Sequence, residues 1–173
     1  MGRTRTIPDA DIFAAVRTLL AQGGDKAVAF SSVARMTGLA APTLVQRYGS
    51  RDAMLRAALM TAWDALDAAT ETAAADTPLS PKGAAQFLKA LSADQPETAD
   101  LALLAVDFRD AELRARATAW RMRVEQALAQ RMGGGAKGRE AAAILFAAWQ
   151  GQSLWQTAGG RAFRIKDALK RLD

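Results

Sequence analysis

The chain is 173 residues long, 50% hydrophobic, carries a formal net charge of +5, and contains neither cysteine nor histidine. The missing cysteines exclude disulfides and thiolate metal sites and fit a reducing cytoplasm, while the missing histidines remove the usual general base and the commonest metal ligand. No apolar run reaches the length that spans a bilayer and no signal-peptide core stands at the N-terminus, so a cytoplasmic protein without a membrane partner is expected. The positive charge suits an anionic partner such as nucleic acid.

Alanine, leucine, arginine and glutamate favour helix and β-branched residues are sparse, so the expected class is all-α with about nine helices. After a basic arm (Arg3, Arg5), Thr6 and Asp9 make a capping pair and Pro8 suits a first turn. Ile12, Phe13, Val16, Leu19 and Leu20 recur at helical spacing, which predicts a first helix over 8–22, stopped by Gly23 and Gly24. A second is predicted from a serine cap (Ser31 or Ser32) to Thr37, with Gly38 where a left-handed residue commonly ends a helix. Pro42 opens a third that runs to Tyr48; a helix this short cannot persist alone in water, so packing must hold it. Gly49 ends it, and Ser50 with Asp52 caps a fourth that carries Met54, Leu55, Ala58, Leu59, Ala62, Trp63 and Leu66 and fades near Ala75.

The stretch "ADTPLSP" (75–81) is the clearest boundary. A fifth helix is predicted over 81–94 and a sixth over 96–108, and Asp110 caps a long seventh with Leu113, Ala117, Trp120, Val124 and Leu128 in one stripe. "GGGAKG" (133–138) breaks the pattern, an eighth helix over 139–158 is apolar enough to be buried on several sides, and a last one carries Ile165, Leu169 and Leu172. Arg114, Arg116, Arg121 and Arg123 are spread round the seventh helix and read as solvated faces. Asp107, Asp110 and Glu112 straddle a helix boundary, where acids favour capping over acid–base chemistry.

Two short helices meeting at a glycine turn, the second of them polar, make a helix-turn-helix pattern. The first braces against the DNA backbone, while the second is short and exposed so that it can enter the major groove. "VARMTGLAAPTLVQRYGSRDAML" (33–55) resembles the DNA-binding segment of the TetR (tetracycline-repressor) family of bacterial regulators. The recurring positions are Ala34, Gly38-Leu39, Thr43-Leu44, Tyr48, Ser50-Arg51 and Leu55, without a gap. The resemblance is specific over residues 7–63 and only architectural beyond. Four positions depart from it: Val45 stands where the family usually has a tyrosine, Gly49 where a lysine is common, Ala40 for a serine and Ala29 for a threonine.

The resemblance implies an N-terminal three-helix DNA-binding domain (1–52, with the fourth helix connecting from 50) and a C-terminal effector-binding and dimerisation domain (53–173). DNA contacts are expected from Ser31, Ser32, Arg35, Ala41, Pro42, Thr43, Gln46, Arg47, Tyr48 and Arg51. Glutamine suits adenine, threonine a phosphate or a thymine methyl, and Arg51 adds charge to a helix N-terminus already suited to phosphate. Trp63, Phe87, Phe108, Trp120, Phe146 and Trp149 are candidates to line an apolar effector pocket, or else they pack the core. Leu145, Leu154, Trp155, Ile165 and Leu169 are expected at a two-fold homodimer interface. The resulting expectation is a transcriptional regulator, a repressor released from an inverted-repeat operator by a small apolar or aromatic effector. It needs no cofactor or metal and is not an enzyme, having no phosphate loop and no metal-ligand spacing. The alternative is a helical small-molecule-binding or interaction protein of the same fold that has lost specific DNA binding.

Overall fold

Helix-favouring runs punctuated by glycine and proline produce helices wherever the chain can be followed. The computed structural model describes residues 7–93, 108–156 and 158–159. Among these residues lie seven complete α-helices and no strand: α1 Asp9–Gly23, α2 Phe30–Thr37, α3 Ala41–Tyr48, α4 Arg51–Asp76, α5 Pro81–Ala93, α6 Ala111–Arg131 and α7 Gly135–Gln156, with a 3₁₀ turn at Asp25–Ala27. Arg3, Arg5, Thr6 and Asp107, the last predicted helix, and all of the predicted sixth helix except Phe108 lie outside the described residues. No helix among the described residues is long and apolar enough to cross a membrane.

The starts of the first three helices differ from expectation. Pro8 precedes α1 in an extended conformation, no side chain caps that end, and Asp9 and Asp11 lie in the first turn, where the helix dipole favours acids. Ala29 precedes α2 instead of a serine, because Ser31 and Ser32 are already helical. α3 starts one residue before Pro42, so the proline sits in the first turn, where its missing N–H would have no intrahelical partner. Two expected caps are present. The amide of Ala53 donates to Ser50 Oγ at 3.1 Å, and Asp110 Oδ1 accepts from the amides of Glu112 and Leu113 at 2.9 and 3.1 Å.

The chain forms two compact units. The first contains the described residues 7–64 and 108–114. Its core is built from Ile12, Phe13, Val16 and Leu20 of α1, Val33 of α2, Leu44 of α3 and Met54, Leu55, Ala58 and Leu59 of α4, all buried. α1 packs on α2, and α2 on α3. Burying one leucine side chain gains about 1.5–3 kcal/mol, and for the eight-residue α3 that gain, through Leu44, is what supplies the missing intrinsic stability.

The second unit contains the described residues 65–93 and 115–156. Phe87, Leu88 and Leu91 of α5, Trp120, Val124 and Leu128 of α6, and Leu145, Phe146 and Trp149 of α7 are buried in it. The predicted glycine break is shorter than expected: α7 begins at Gly135, so Gly135, Lys137 and Gly138 are helical. A Cβ at Gly138 would lie 3.0 Å from the carbonyl oxygen of Ala129 and 3.2 Å from that of Met132. Glycine there lets the start of α7 lie against the end of α6.

The arginines of α6 also depart from expectation, since two of them are not merely solvated. Asp67 of α4 is buried, with Arg116 Nη2 at 2.5 Å from its Oδ2 and Arg123 Nη1 at 2.8 Å from its Oδ1. The Oδ1 contact lacks hydrogen-bond alignment and acts through charge alone. Arg131, 2% exposed, has no carboxylate partner among the described residues and donates to the carbonyls of Ala127, Ala74 and Thr77 and to Thr77 Oγ1 at 2.7–3.0 Å. Its guanidinium lies 5.0 Å from the Phe87 ring centroid, and burial lowers its pKa.

Candidate nucleic-acid interface

The turn between α2 and α3 follows from Gly38, whose φ of 74° is left-handed and whose amide donates to Ala34 O at 2.9 Å. Thr37 Oγ1 reinforces that end by donating to Val33 O at 2.8 Å. With Leu44 turned into the core, α3 exposes Pro42, Thr43, Gln46 and Arg47, while Ala41 and Tyr48 are half-buried. On α2, Ser31 and Arg35 are exposed and Ser32 is half-buried. Val45, 45% exposed, sits on the outer surface of α3 beside these polar groups. Backbone geometry and one anchoring leucine therefore present a continuous polar helix face.

Three of the expected contact residues are already engaged within the chain. Tyr48 donates its hydroxyl to Asp9 Oδ1, and its ring packs against Phe13 with centroids 5.9 Å apart. Burial, then the hydrogen bond to Asp9, raises the phenol pKa above its ordinary range. Arg47 Nε lies 3.0 Å from Asp9 Oδ1, and Arg47 Nη1 donates to Ile7 O at 2.8 Å. Arg51 is more fully committed. Its Nε donates to Val28 O at 2.7 Å, Nη1 to Asp52 at 2.7 Å, and Nη2 to the carboxylate of Asp25 at 2.6 Å and to the Asp25 carbonyl. The hydrogen bond to Asp25 leads the causes that raise its pKa. Arg51 thereby clasps the start of α4 to the 3₁₀ turn. Asp9 and Asp25 are the residues the sequence reading missed, because nothing local links them to arginines 38 and 26 residues away.

The aromatic candidates divide. Trp120, Phe146 and Trp149 converge in the second unit, with ring centroids 5.9–6.2 Å apart in tilted and edge-on pairs. Trp120 Nε1 donates to Thr70 Oγ1 at 2.9 Å, and Trp149 Nε1 to Ser92 Oγ at 2.8 Å, so both indoles are satisfied. Phe87 is buried under Arg131 in the same unit, and Trp63 is buried in the first. Phe108 is 59% exposed and lines no interior. Of the dimer candidates, Leu145 is 1% exposed and consumed by its own chain's core, which corrects the expectation that it meets a partner. Leu154 is half-exposed and Trp155 is 65% exposed, while Ile165 and Leu169 lie outside the described residues.

No family model and no curated protein matches the chain. Solved structures do. The chain is similar to a transcriptional regulator from Rhodococcus sp. Rha1 at a TM-score of 0.76 and 18% identity, covering 96% of this chain and 94% of that one. It is similar to a TetR transcriptional regulator from Legionella pneumophila at 0.73 and 16% identity, covering 98% of each. A third is the multidrug-binding protein EbrR, solved in complex with malachite green, at 0.69 and 18% identity, covering 96% of this chain and 98% of that one. The chain has the TetR-type regulator fold. That fold extends over nearly the whole chain, so the resemblance that the sequence carries only over residues 7–63 is architectural for the rest as well.

Proposed function

We propose that the chain is a DNA-binding transcriptional regulator, a repressor of TetR type, in which α1–α3 form a helix-turn-helix domain and α3 reads an inverted-repeat operator. The observation that carries this reading is α3 itself, an eight-residue helix held by Leu44 with Thr43, Gln46 and Arg47 facing outward. Pro42 and Ala41 allow close approach at its start, and Ser31, Ser32 and Arg35 of α2, with Tyr48, flank the same surface. The protein acts as a homodimer whose two reading helices sit about 34–36 Å apart or at a multiple of that. Leu154 and Trp155 of α7, with Ile165 and Leu169, form its partner face. A small apolar or aromatic effector binds among the aromatics of the second unit, and Trp120, Phe146 and Trp149 are the first candidates to touch it.

The test is binding to an inverted-repeat duplex selected from random DNA. Affinity falls steeply with salt as phosphate contacts release counterions. Gln46→Ala changes preference at one base pair by about 1–3 kcal/mol, leaving affinity for unrelated DNA intact. Malachite green, the ligand of EbrR, serves as an effector probe. An effector quenches tryptophan fluorescence and lowers DNA affinity together, and operator DNA weakens the effector by the same factor. Absence of binding to any duplex at low salt overturns the regulator reading. The second reading, a small-molecule-binding protein of this fold without DNA recognition, draws on Val45, an exposed apolar residue where the family usually supplies a hydroxyl.

A further inference from the structure

We infer that Asp9 sets how strongly α3 holds DNA phosphate, by withholding the Arg47 guanidinium while pinning the Tyr48 phenol. The inference rests on the DNA-binding reading above and adds to it a residue outside the helix-turn-helix. Asp9 is the first residue of α1, yet its carboxylate is turned towards the last turn of α3. One oxygen, Oδ1, accepts from Tyr48 and faces Arg47 Nε at 3.0 Å, while Arg47 Nη1 is held by Ile7 O at 2.8 Å. The guanidinium carbon of Arg47 also lies 5.9 Å from the Tyr48 ring centroid, so the three side chains form one cluster.

Charge makes this cluster unusual for a surface that meets DNA. A carboxylate beside the reading helix cancels the charge of the one arginine on α3. The pair is half-exposed, with side-chain exposures of 31% for Arg47 and 50% for Asp9, so it is screened and weak. A phosphate offers Arg47 a planar, bidentate, charge-assisted partner, so it competes with Asp9 on favourable terms. Tyr48 is bound differently: its ring is fixed against Phe13, so the phenol stays on Asp9 when Arg47 leaves. Asp9 therefore positions the end of α3 and imposes on every DNA complex the cost of parting it from Arg47. That cost is the same for all sequences, so it lowers affinity for any duplex and leaves base discrimination to Thr43 and Gln46.

The experiment uses the full chain and four proteins: wild type, Asp9→Asn, Arg47→Ala and the double variant. Asparagine keeps an oxygen for Tyr48 and removes the charge. Asp9→Asn is expected to bind operator and unrelated duplex about 3- to 10-fold more tightly at low salt, with the log–log salt slope little changed because Arg47 reaches phosphate in both proteins. The gain vanishes when Arg47→Ala is added, since Arg47 is the cation released. Tyr48 is the only tyrosine in the chain, so tyrosinate absorbance near 295 nm reports the cluster; its onset comes at lower pH in Asp9→Asn, which removes the carboxylate facing the phenol. Asp9→Ser serves as a second uncharged variant, and circular dichroism checks that each protein folds. Should wild type bind DNA while Asp9→Asn binds equally or more weakly, or should the gain survive Arg47→Ala, the inference is overturned and the regulator reading stands. Should wild type bind no duplex at all, both fall.

Discussion

The two units are held together by different means. In the first, the features that matter follow from local rules: a left-handed glycine closes α2, a proline opens α3, a serine caps α4, and a leucine anchors the short helix. Its ion pairs, Asp9 with Arg47, Asp25 with Arg51 and Asp110 with Arg56 among them, lie at or near the surface. In the second, two charged groups among the described residues are inside. Asp67 is held between Arg116 and Arg123, and Arg131 is surrounded by carbonyl oxygens. Removing a surface charge costs little because water replaces the partner, whereas removing a buried one strands whatever it served. The second unit should therefore be the more sensitive to single polar substitutions.

The strongest attack on that contrast is Arg131→Met. It keeps the packing against Phe87 but leaves the carbonyls of Ala74 and Thr77, at the end of α4, without their buried donor. The expected loss is about 3–5 kcal/mol, read as a fall in the urea midpoint at unchanged slope. A loss below about 1 kcal/mol, the range of an exposed pair, would erase the distinction between the units.

Asp67→Ala comes next, at about 2–4 kcal/mol, because Arg116 and Arg123 lose their shared carboxylate. The sharper experiment pairs Asp67→Leu with Arg116→Met. Replacing both charges with apolar groups should recover much of the loss, and a double-mutant cycle measures the coupling. Equal losses in the single and double variants would mean that shape, not charge, governs this position.

Local rules also explain what was legible in the sequence. Gly38, Pro42, Leu44, Gly49 and Ser50 act within a few residues of themselves, so the order and ends of α2, α3 and α4 could be read to within about two residues. The outward face of α3 followed from Leu44 pointing in. The stripe of α6 was equally readable from its period, and its cap from Asp110. What could not be read is every interaction whose partner lies tens of residues away. Asp9 seemed a capping residue and Arg116 and Arg123 solvent-facing, and the pairing of Arg51 with Asp25 could not be foreseen, because each partner sits on another element. Leu145 fell on the wrong side for a related reason: α7 is apolar over much of its circumference, and periodicity does not say which part its own chain covers.

In the first unit, Gly38→Ala tests the local rule directly. A Cβ there would meet nothing within 4 Å, so the whole effect comes from the left-handed backbone and should be about 1–2 kcal/mol. Gly38→Asn should lose less, since asparagine tolerates that conformation. Identical losses for the two variants would point to a steric cause that the open surroundings of Gly38 do not contain.

The smallest effect belongs to Asp110, the cap of α6, and it carries a pH signature. Its carboxylate accepts from two backbone amides and pairs with Arg56 Nε at 2.8 Å. Folding lowers its pKa, first through the Leu113 amide and then through Arg56. The sign follows from that direction. A carboxylate whose folded pKa lies below its unfolded one contributes fully above the unfolded value, and loses that contribution as pH falls through the folded value. Asp110→Ala should therefore cost about 1 kcal/mol at neutral pH, the ordinary value of a cap. The gap to wild type should narrow once the pH drops below about 4, where carboxylates begin to protonate. Urea midpoints for both proteins at pH 7 and pH 3 decide it. A gap that stays constant would mean that Asp110 acts through the shape of its turn, with its charge contributing nothing.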